Sequence, residues 1–270
     1  MDNLSTKTSD LSKKIRIQIL KLAYLKKVAH IGSSLSIVDV LVQIFNIFDM
    51  KPSSFNENRL RLLYSKGHAC LAYYCILEEY KFIENLKENF IKDGGLITSH
   101  ISHKVHGIEY STGSLGHALP IASGVAYSLK MDNNPAKVIC ILSDGELNEG
   151  SNWESFLFNQ HHNLNNLLIV IDYNKLQSFG FTNEVLNLEP LIDKFISFNY
   201  LVKTIDGHNH NELQKNLLDF KNNLNSKPTI LICNTIKGKG ISFYENQLSS
   251  HYKSPTEEEF TVALKELENA

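Results

Sequence analysis

The chain has no excess of charge of either sign: 27 Lys and Arg stand against 29 Asp and Glu, for a net charge of -2. It therefore lacks the basic field that a nucleic-acid-binding surface needs. Arginine is scarce, with only Arg16, Arg59 and Arg61, none of them inside a motif. No apolar run approaches the roughly eighteen residues of a membrane span, and the opening MDNLSTKTSDLSKK has no apolar core of an export signal, so neither a span nor secretion is expected. The four cysteines, Cys70, Cys75, Cys140 and Cys233, contain no CxxC pair. Cys140 and Cys233 fall in apolar strand-like runs, where a thiol acts as a small hydrophobe, and all four read as reduced core residues of a cytoplasmic protein. Linkers, repeats and low-complexity segments are also missing. At 270 residues, length alone permits one large domain or two smaller ones. The unbroken alternation of strand and helix predicts one domain over 1–270, with N-terminal helices and a C-terminal tail.

What is present centres on Val138 to Leu176. Val138–Leu142 is an apolar run broken at Ser143-Asp144-Gly145; an amphipathic segment follows, then a second apolar run from Leu167 to Ile171 ending at Asp172-Tyr173-Asn174. This is a strand, a loop, a helix and a parallel strand. Such continuously apolar strands belong to a mostly parallel sheet sandwiched by helices, an α/β fold. Asp144 and Asn174 then sit at the carboxyl ends of neighbouring strands, where open α/β sheets place ligands. Two oxygen-bearing side chains beside an irregular loop suit a small hard cation such as Mg²⁺, and Gly145 lets the backbone approach a diphosphate. An Asp-Gly after a strand is also an ordinary turn, and on these residues alone both readings stand.

Elsewhere, Ser9-Asp10 predicts a helix start, with Leu11, Ile15, Ile19, Leu22 and Leu25 at helical spacing to about Lys27. A break at 29–34 containing His30 precedes a second helix carrying Leu35, Val38, Leu41, Val42 and Phe45. A run ending at Lys66-Gly67-His68 leads into a helix from Cys70 to Tyr80, and His68 at its N-terminus lies at a natural anion site. Further helices are predicted over Phe82–Ile91, Ala118–Met131 and Asn209–Asn222, with strands over Leu201–Ile205 and Thr229–Cys233 and a polar loop over Gln177–Leu188. The segment Ser99 to Gly107 holds His100, His103 and His106, without the Cys or carboxylate companions usual at a zinc site. Thr235 to Gly240 is Gly-rich and basic but lacks the order of a phosphate-binding P-loop.

The stretch from Asp144 to Asn174 resembles the thiamine diphosphate signature, in its transketolase version: Glu149-Gly150 and Trp153-Glu154 follow the Asp-Gly, and Asp172-Tyr173-Asn174-Lys175 closes it. His30-Ile31-Gly32, Lys66-Gly67-His68, the run Gly107 to Gly116, and Lys237-Gly238-Lys239-Gly240 followed by His251 are similar to family motifs in the family's order, although Ile31 replaces a proline and Ser143 a glycine. The resemblance spans nearly the whole chain but only the diphosphate-binding half of a full transketolase. It implies that Asp144, Asn174 and the Leu176 carbonyl bind Mg²⁺, with Ca²⁺ or Mn²⁺ able to take its place. His68, Gly145 and His251 would address the diphosphate, and Ser114, Leu115 and Gly116 would close over the aminopyrimidine. His30, His100 and His251 would line the substrate channel as catalytic residues, and Glu149 would make a charged contact coupling paired sites across an interface. His103 and His106 have no family counterpart, and His117 and Ala118 depart modestly from the family's residues.

The implied protein is a transferase subunit. It moves a two-carbon ketol unit from a ketose to an aldose and is active only with a separate pyrimidine-binding subunit, in a heterotetramer that self-associates through a two-fold axis. Two alternatives are the same chemistry on a nucleotide-linked or surface-polysaccharide sugar, and a cofactor-binding scaffold without catalysis.

Overall fold

The computed structural model of the chain describes residues 2–54 and 56–269, and of residues 2–5 the backbone alone. The apolar runs become five strands: β1 (Arg61–Tyr64), β2 (Val138–Ser143), β3 (Leu167–Tyr173), β4 (Leu201–Asp206) and β5 (Thr229–Asn234). They form one sheet in the order β1-β2-β3-β5-β4, and each neighbouring pair is parallel. Every residue of β2 and β3 is buried, as central strands covered on both faces require.

The two faces are legible residue by residue. Ile139, Ile141, Leu168, Val170 and Leu231 point to one core, against the helices Asp2–Lys26, Val38–Ile47, Cys70–Glu79 and His210–Lys221. Cys140, Leu142, Ile169, Ile171 and Ile232 point to the other, against Ala118–Met131, Gly150–His161 and Leu191–Ser197. Each fully buried Ile or Leu contributes about 1.5–3 kcal/mol, so the central strands anchor the chain. All four cysteines are buried and unpaired.

Several predicted boundaries change. The first helix begins at Asp2, upstream of the Ser9-Asp10 start signal, and ends at Lys26. The second predicted helix divides at Ile37 into Ile31–Ser36 and Val38–Ile47. The predicted helix over Phe82–Ile91 is a single turn, Leu86–Asn89, behind a left-handed Asn85 with φ 53°. Phe82, Leu86 and Phe90 have helical spacing because an irregular segment anchors them in the core. The polar loop Gln177–Leu188 contains one helical turn, Thr182–Val185. The expected C-terminal tail is instead the helix Glu257–Asn269, which packs Ala263 and Leu267 into the first core. Among the described residues, no helix is long and apolar enough to cross a membrane.

The three arginines hold the scaffold. Arg16 donates to both carboxylate oxygens of Asp39, at 3.1 and 2.5 Å, with both residues buried. His208 Nδ1 and His210 Nε2 approach the same carboxylate at 2.7 and 3.2 Å. Arg59 pairs with Glu109, and Arg61 donates to the carbonyls of Arg59 and Glu57 at 2.7 and 2.9 Å. Burial raises the Asp39 pKa, but Arg16 and the two histidines outweigh it and hold the carboxyl well below its usual range. Arg16→Ala strips a buried carboxylate of its cation and should destabilise the fold by about 3 kcal/mol in urea unfolding. A depressed folded pKa gives stability that is present above the unfolded value, near 3.9, and lost as pH falls through the folded one. The deficit of Arg16→Ala should accordingly shrink on acidification below about pH 4, and a deficit that is constant with pH would contradict the assignment.

Candidate functional site

The carboxyl ends of β1, β2, β3 and β5 open onto a cleft of ≈ 480 Å³, lined by His30, His68, His100, Asp144, Asn174 and His251 among others. These six come from six separate places in the sequence: His68, Asp144 and Asn174 follow the ends of parallel strands, and His30, His100 and His251 are brought over them by helix ends and loops.

Asp144 follows β2 directly, its Oδ1 accepting from the Gly145 amide at 2.7 Å and its Oδ2 from the Lys175 amide at 2.5 Å. Burial, and then the neighbouring Asp172, push its pKa up to about 6. Asn174 Oδ1 accepts from the Leu176 amide at 3.1 Å, and the Leu176 carbonyl accepts from Lys237 Nζ at 2.8 Å. Asp144, Asn174 and Leu176 thus bring a carboxylate, an amide oxygen and a carbonyl to the cleft, a hard-oxygen set suited to Mg²⁺. The buried Asp144 carboxyl is a site where a divalent cation would favour the ionised form. A Cβ on Gly145 would come within 2.9 Å of Gln177 Cγ, so a larger residue in this turn would push the Gln177 side chain aside.

The floor beneath is a closed polar network. Lys66 and Asp172 form a fully buried ion pair; Ser36 Oγ donates to Asp172 at 2.7 Å, Thr235 adds another donor, and Lys66 Nζ also reaches the Ser33 carbonyl at 3.0 Å. Burial would raise the Asp172 pKa, but Lys66 and these donors lower it. Asp172 is saturated and Asp144 is left to face the cleft. Lys237, its pKa brought down to about 8 by burial, is the second cation at the site. Neither lysine stands out in the sequence. Each lay inside a recognised motif, Lys66-Gly67-His68 and Lys237-Gly238-Lys239-Gly240, but only folding pairs it with Asp172 or Leu176.

Three imidazoles cluster at the same cleft. His30 and His251 meet edge to face with ring centres 4.5 Å apart, and His68 lies 5.6 Å from His30 and 5.9 Å from His251. His30 has φ 65°, a left-handed backbone conformation that a non-glycine residue adopts at some cost, and its amide donates to the His251 carbonyl at 2.9 Å. Ile31, in place of the family proline, sits at the first helical position with its side chain fully buried. Burial lowers the pKa of all three, that of His251 to about 3, so they are neutral at physiological pH. Among the described residues, His30 Nδ1 and Asn148 Nδ2 are buried without a hydrogen-bond partner, as fits a site built to receive a polar group.

His100 lines the cleft and stands against Gly113, where a Cβ would come within 3.0 Å of its ring. His103 and His106 are not part of this wall: His103 Nδ1 pairs with Ser111 Oγ at 2.8 Å, and His106 packs on Phe82. Leu115 and Glu149 reach the cleft, Gly116 is buried behind it, and Ser114 and His117 are exposed outside.

A parallel sheet between two helical layers, with a strand-end cleft lined by acidic, amide and histidine side chains, defines an α/β domain with a ligand site at its strand ends. The family described as "Transketolase, thiamine diphosphate binding domain" matches residues 8–267, and the chain belongs to it. It is a thiamine diphosphate-dependent transferase subunit of the transketolase type. It is 39% identical over 246 residues to the 6-deoxy-6-sulfo-D-fructose transketolase subunit SqwG of Clostridium sp. (strain MSTE9), covering 89% of each chain. It is 37% identical over 244 residues to an apulose-4-phosphate transketolase subunit from Actinobacillus succinogenes, covering 89% of this chain and 88% of that one. In structure it is similar to transketolase from Campylobacter jejuni, with a TM-score of 0.85 and 26% identity over 97% of this chain but only 42% of the longer one.

Proposed function

We propose that this chain is the diphosphate- and metal-binding subunit of a two-part transketolase that transfers a two-carbon ketol unit from a ketose to an aldose in the cytoplasm. The observation that carries the proposal is the convergence of Asp144, Asn174 and Leu176 with His30, His68, His100 and His251 on one cleft. Thiamine diphosphate, when bound, supplies the electron sink for breaking and making a carbon–carbon bond beside a carbonyl. Asp144, Asn174 and the Leu176 carbonyl would hold Mg²⁺, and His68, His251 and the small turn at Gly145 would receive the diphosphate. Leu115 and Gly116, with Ser114 at the edge, would cover the ring. His30, His100 and His251 would hydrogen-bond or exchange protons with donor hydroxyls, a role that suits imidazoles. Glu149, exposed at the rim, would meet a neighbouring subunit.

Two relatives called subunits match this chain over nearly nine-tenths of their own length, which supports a separate partner subunit; in the proposed assembly that partner binds the pyrimidine and two copies of each chain form a two-fold heterotetramer. Their named substrates, a sulfonated and a phosphorylated ketose, favour a donor ending in an anionic group over a nucleotide-linked sugar. The retained cleft histidines favour catalysis over a scaffold role.

His100→Ala should lower kcat/KM for the ketose by about fivefold, the loss of one hydrogen bond to an uncharged hydroxyl at about 1 kcal/mol. His103→Ala, altering a residue off the wall, should change it by less than about twofold. Steady-state kinetics on the assembled enzyme decides this, and equal losses at the two positions would overturn the assignment of His100.

A further inference from the structure

Glu146 has no role in the function proposed so far, yet it sits between the metal-binding turn and the ring-covering loop. It is fully buried. Its carboxylate takes donors from three elements: Ser65 Oγ just past β1, the Gly116 amide at 2.9 Å, and the Ser143 amide at the end of β2 at 3.4 Å. Its own segment is fastened in turn, because Asn152 Nδ2 donates to the Glu146 carbonyl at 2.7 Å. A carboxylate has only acceptors, so one side chain can satisfy three converging donors at once.

Gly116 is gripped from both sides. Its amide is held by Glu146, and its carbonyl accepts from Ser151 Oγ at 2.6 Å. Its φ of 78° is left-handed, and a Cβ there would lie 2.7 Å from Glu149 Cβ and from Ser151 Oγ. The other end of the loop is fixed by Thr112 Oγ1, which donates to the Tyr64 carbonyl at 3.0 Å. Every one of these contacts lies within this chain.

We infer that Glu146 is a positioning residue that holds the loop Thr112–Gly116 in its cofactor-receiving form, through the Gly116 amide, before cofactor or partner arrives. The inference rests on the proposed function for the loop's target and on this chain alone for the loop's order. It makes the loop a preorganised wall whose ordering cost is met during folding, which favours binding.

Amide hydrogen exchange on the full chain without ligand tests it directly. In Glu146→Ala, the amides of residues 113–117 should exchange about tenfold or more faster while those of β2 and β3 keep their protection. Glu146→Gln retains an acceptor for Gly116 and Ser65 but turns a donor toward the Ser143 amide, so its loop should be intermediate. It also serves if the alanine variant fails to fold. Thiamine diphosphate affinity of the complex with the partner subunit should follow the same order. The inference is overturned if loop exchange in the variants matches wild type, if loop and sheet lose protection together, or if the loop loosens while affinity stays at the wild-type value. A wild-type complex that binds no thiamine diphosphate would instead defeat the functional proposal, and the exchange measurement would still judge the hold of Glu146 on the loop.

Discussion

In Asp144→Ala the affinity of the assembled enzyme for thiamine diphosphate should fall on the order of 100-fold or more, with the fold retained. The size of the effect follows from the division of labour among the acidic groups. Asp172 is saturated by Lys66, Ser36 and Thr235, and Glu146 is turned toward Ser65 and Gly116. Neither can replace the lost ligand. Removing the Asp144 carboxylate also frees the Gly145 and Lys175 amides, at a cost of about 1–3 kcal/mol if they stay unsatisfied, which a domain of this size absorbs. Calorimetric titration with thiamine diphosphate at saturating Mg²⁺ gives the answer; unchanged affinity would remove Asp144 from the metal site. Asn174→Ala, which deletes a neutral ligand, should have a smaller effect.

The second large effect concerns partnership. At the cleft rim the segment 177–188 exposes Phe179 at 80%, Leu186 at 59%, Phe181 at 43% and Val185 at 39%. Large apolar side chains gathered beside a polar cleft mark a surface that another chain covers. None of the three arginines lines the cleft, so this chain offers no guanidinium to a substrate's anionic end. The purified chain should therefore show no ketol transfer, and mixing it with a pyrimidine-binding subunit should restore turnover in a species whose mass by light scattering equals two copies of each. Robust turnover by this chain without a partner would refute the two-part reading.

Much of this site was legible in the sequence because its backbone is written in apolar runs. Val138–Leu142 and Leu167–Ile171 suit strands buried on both faces, and that pattern puts Asp144 and Asn174 at the ends of neighbouring strands, as the pairing of β2 with β3 bears out. The histidines were legible through local motifs, and the fold places His30, His68, His100 and His251 on one cleft and His103 outside it. The misreadings have physical causes. Phe82, Leu86 and Phe90 repeat at helical spacing but pin an irregular segment, and the final helix carries three glutamates in its first turn that mask its narrow apolar stripe. Lys66, Lys237 and Glu146 are not legible in the sequence, for another reason. Their partners lie far along the chain, at Asp172, Leu176 and Gly116, and hydrogen bonds of that range leave no trace in local sequence.

The buried cysteines give the chain a property unrelated to catalysis. Burial pushes the Cys70 thiol up to about 12 and raises Cys75, Cys140 and Cys233 well above their ordinary range, so none offers the thiolate that alkylating reagents attack. Cys70 and Cys75 ride on one helix, whereas Cys140 and Cys233 belong to β2 and β5, the two strands that flank β3. The folded protein should thus react slowly with thiol probes, and labelling should record a breathing event that exposes a cysteine. Which pair is labelled tells whether the helical layer or the heart of the sheet has opened, so the chain carries its own two-channel clock of unfolding.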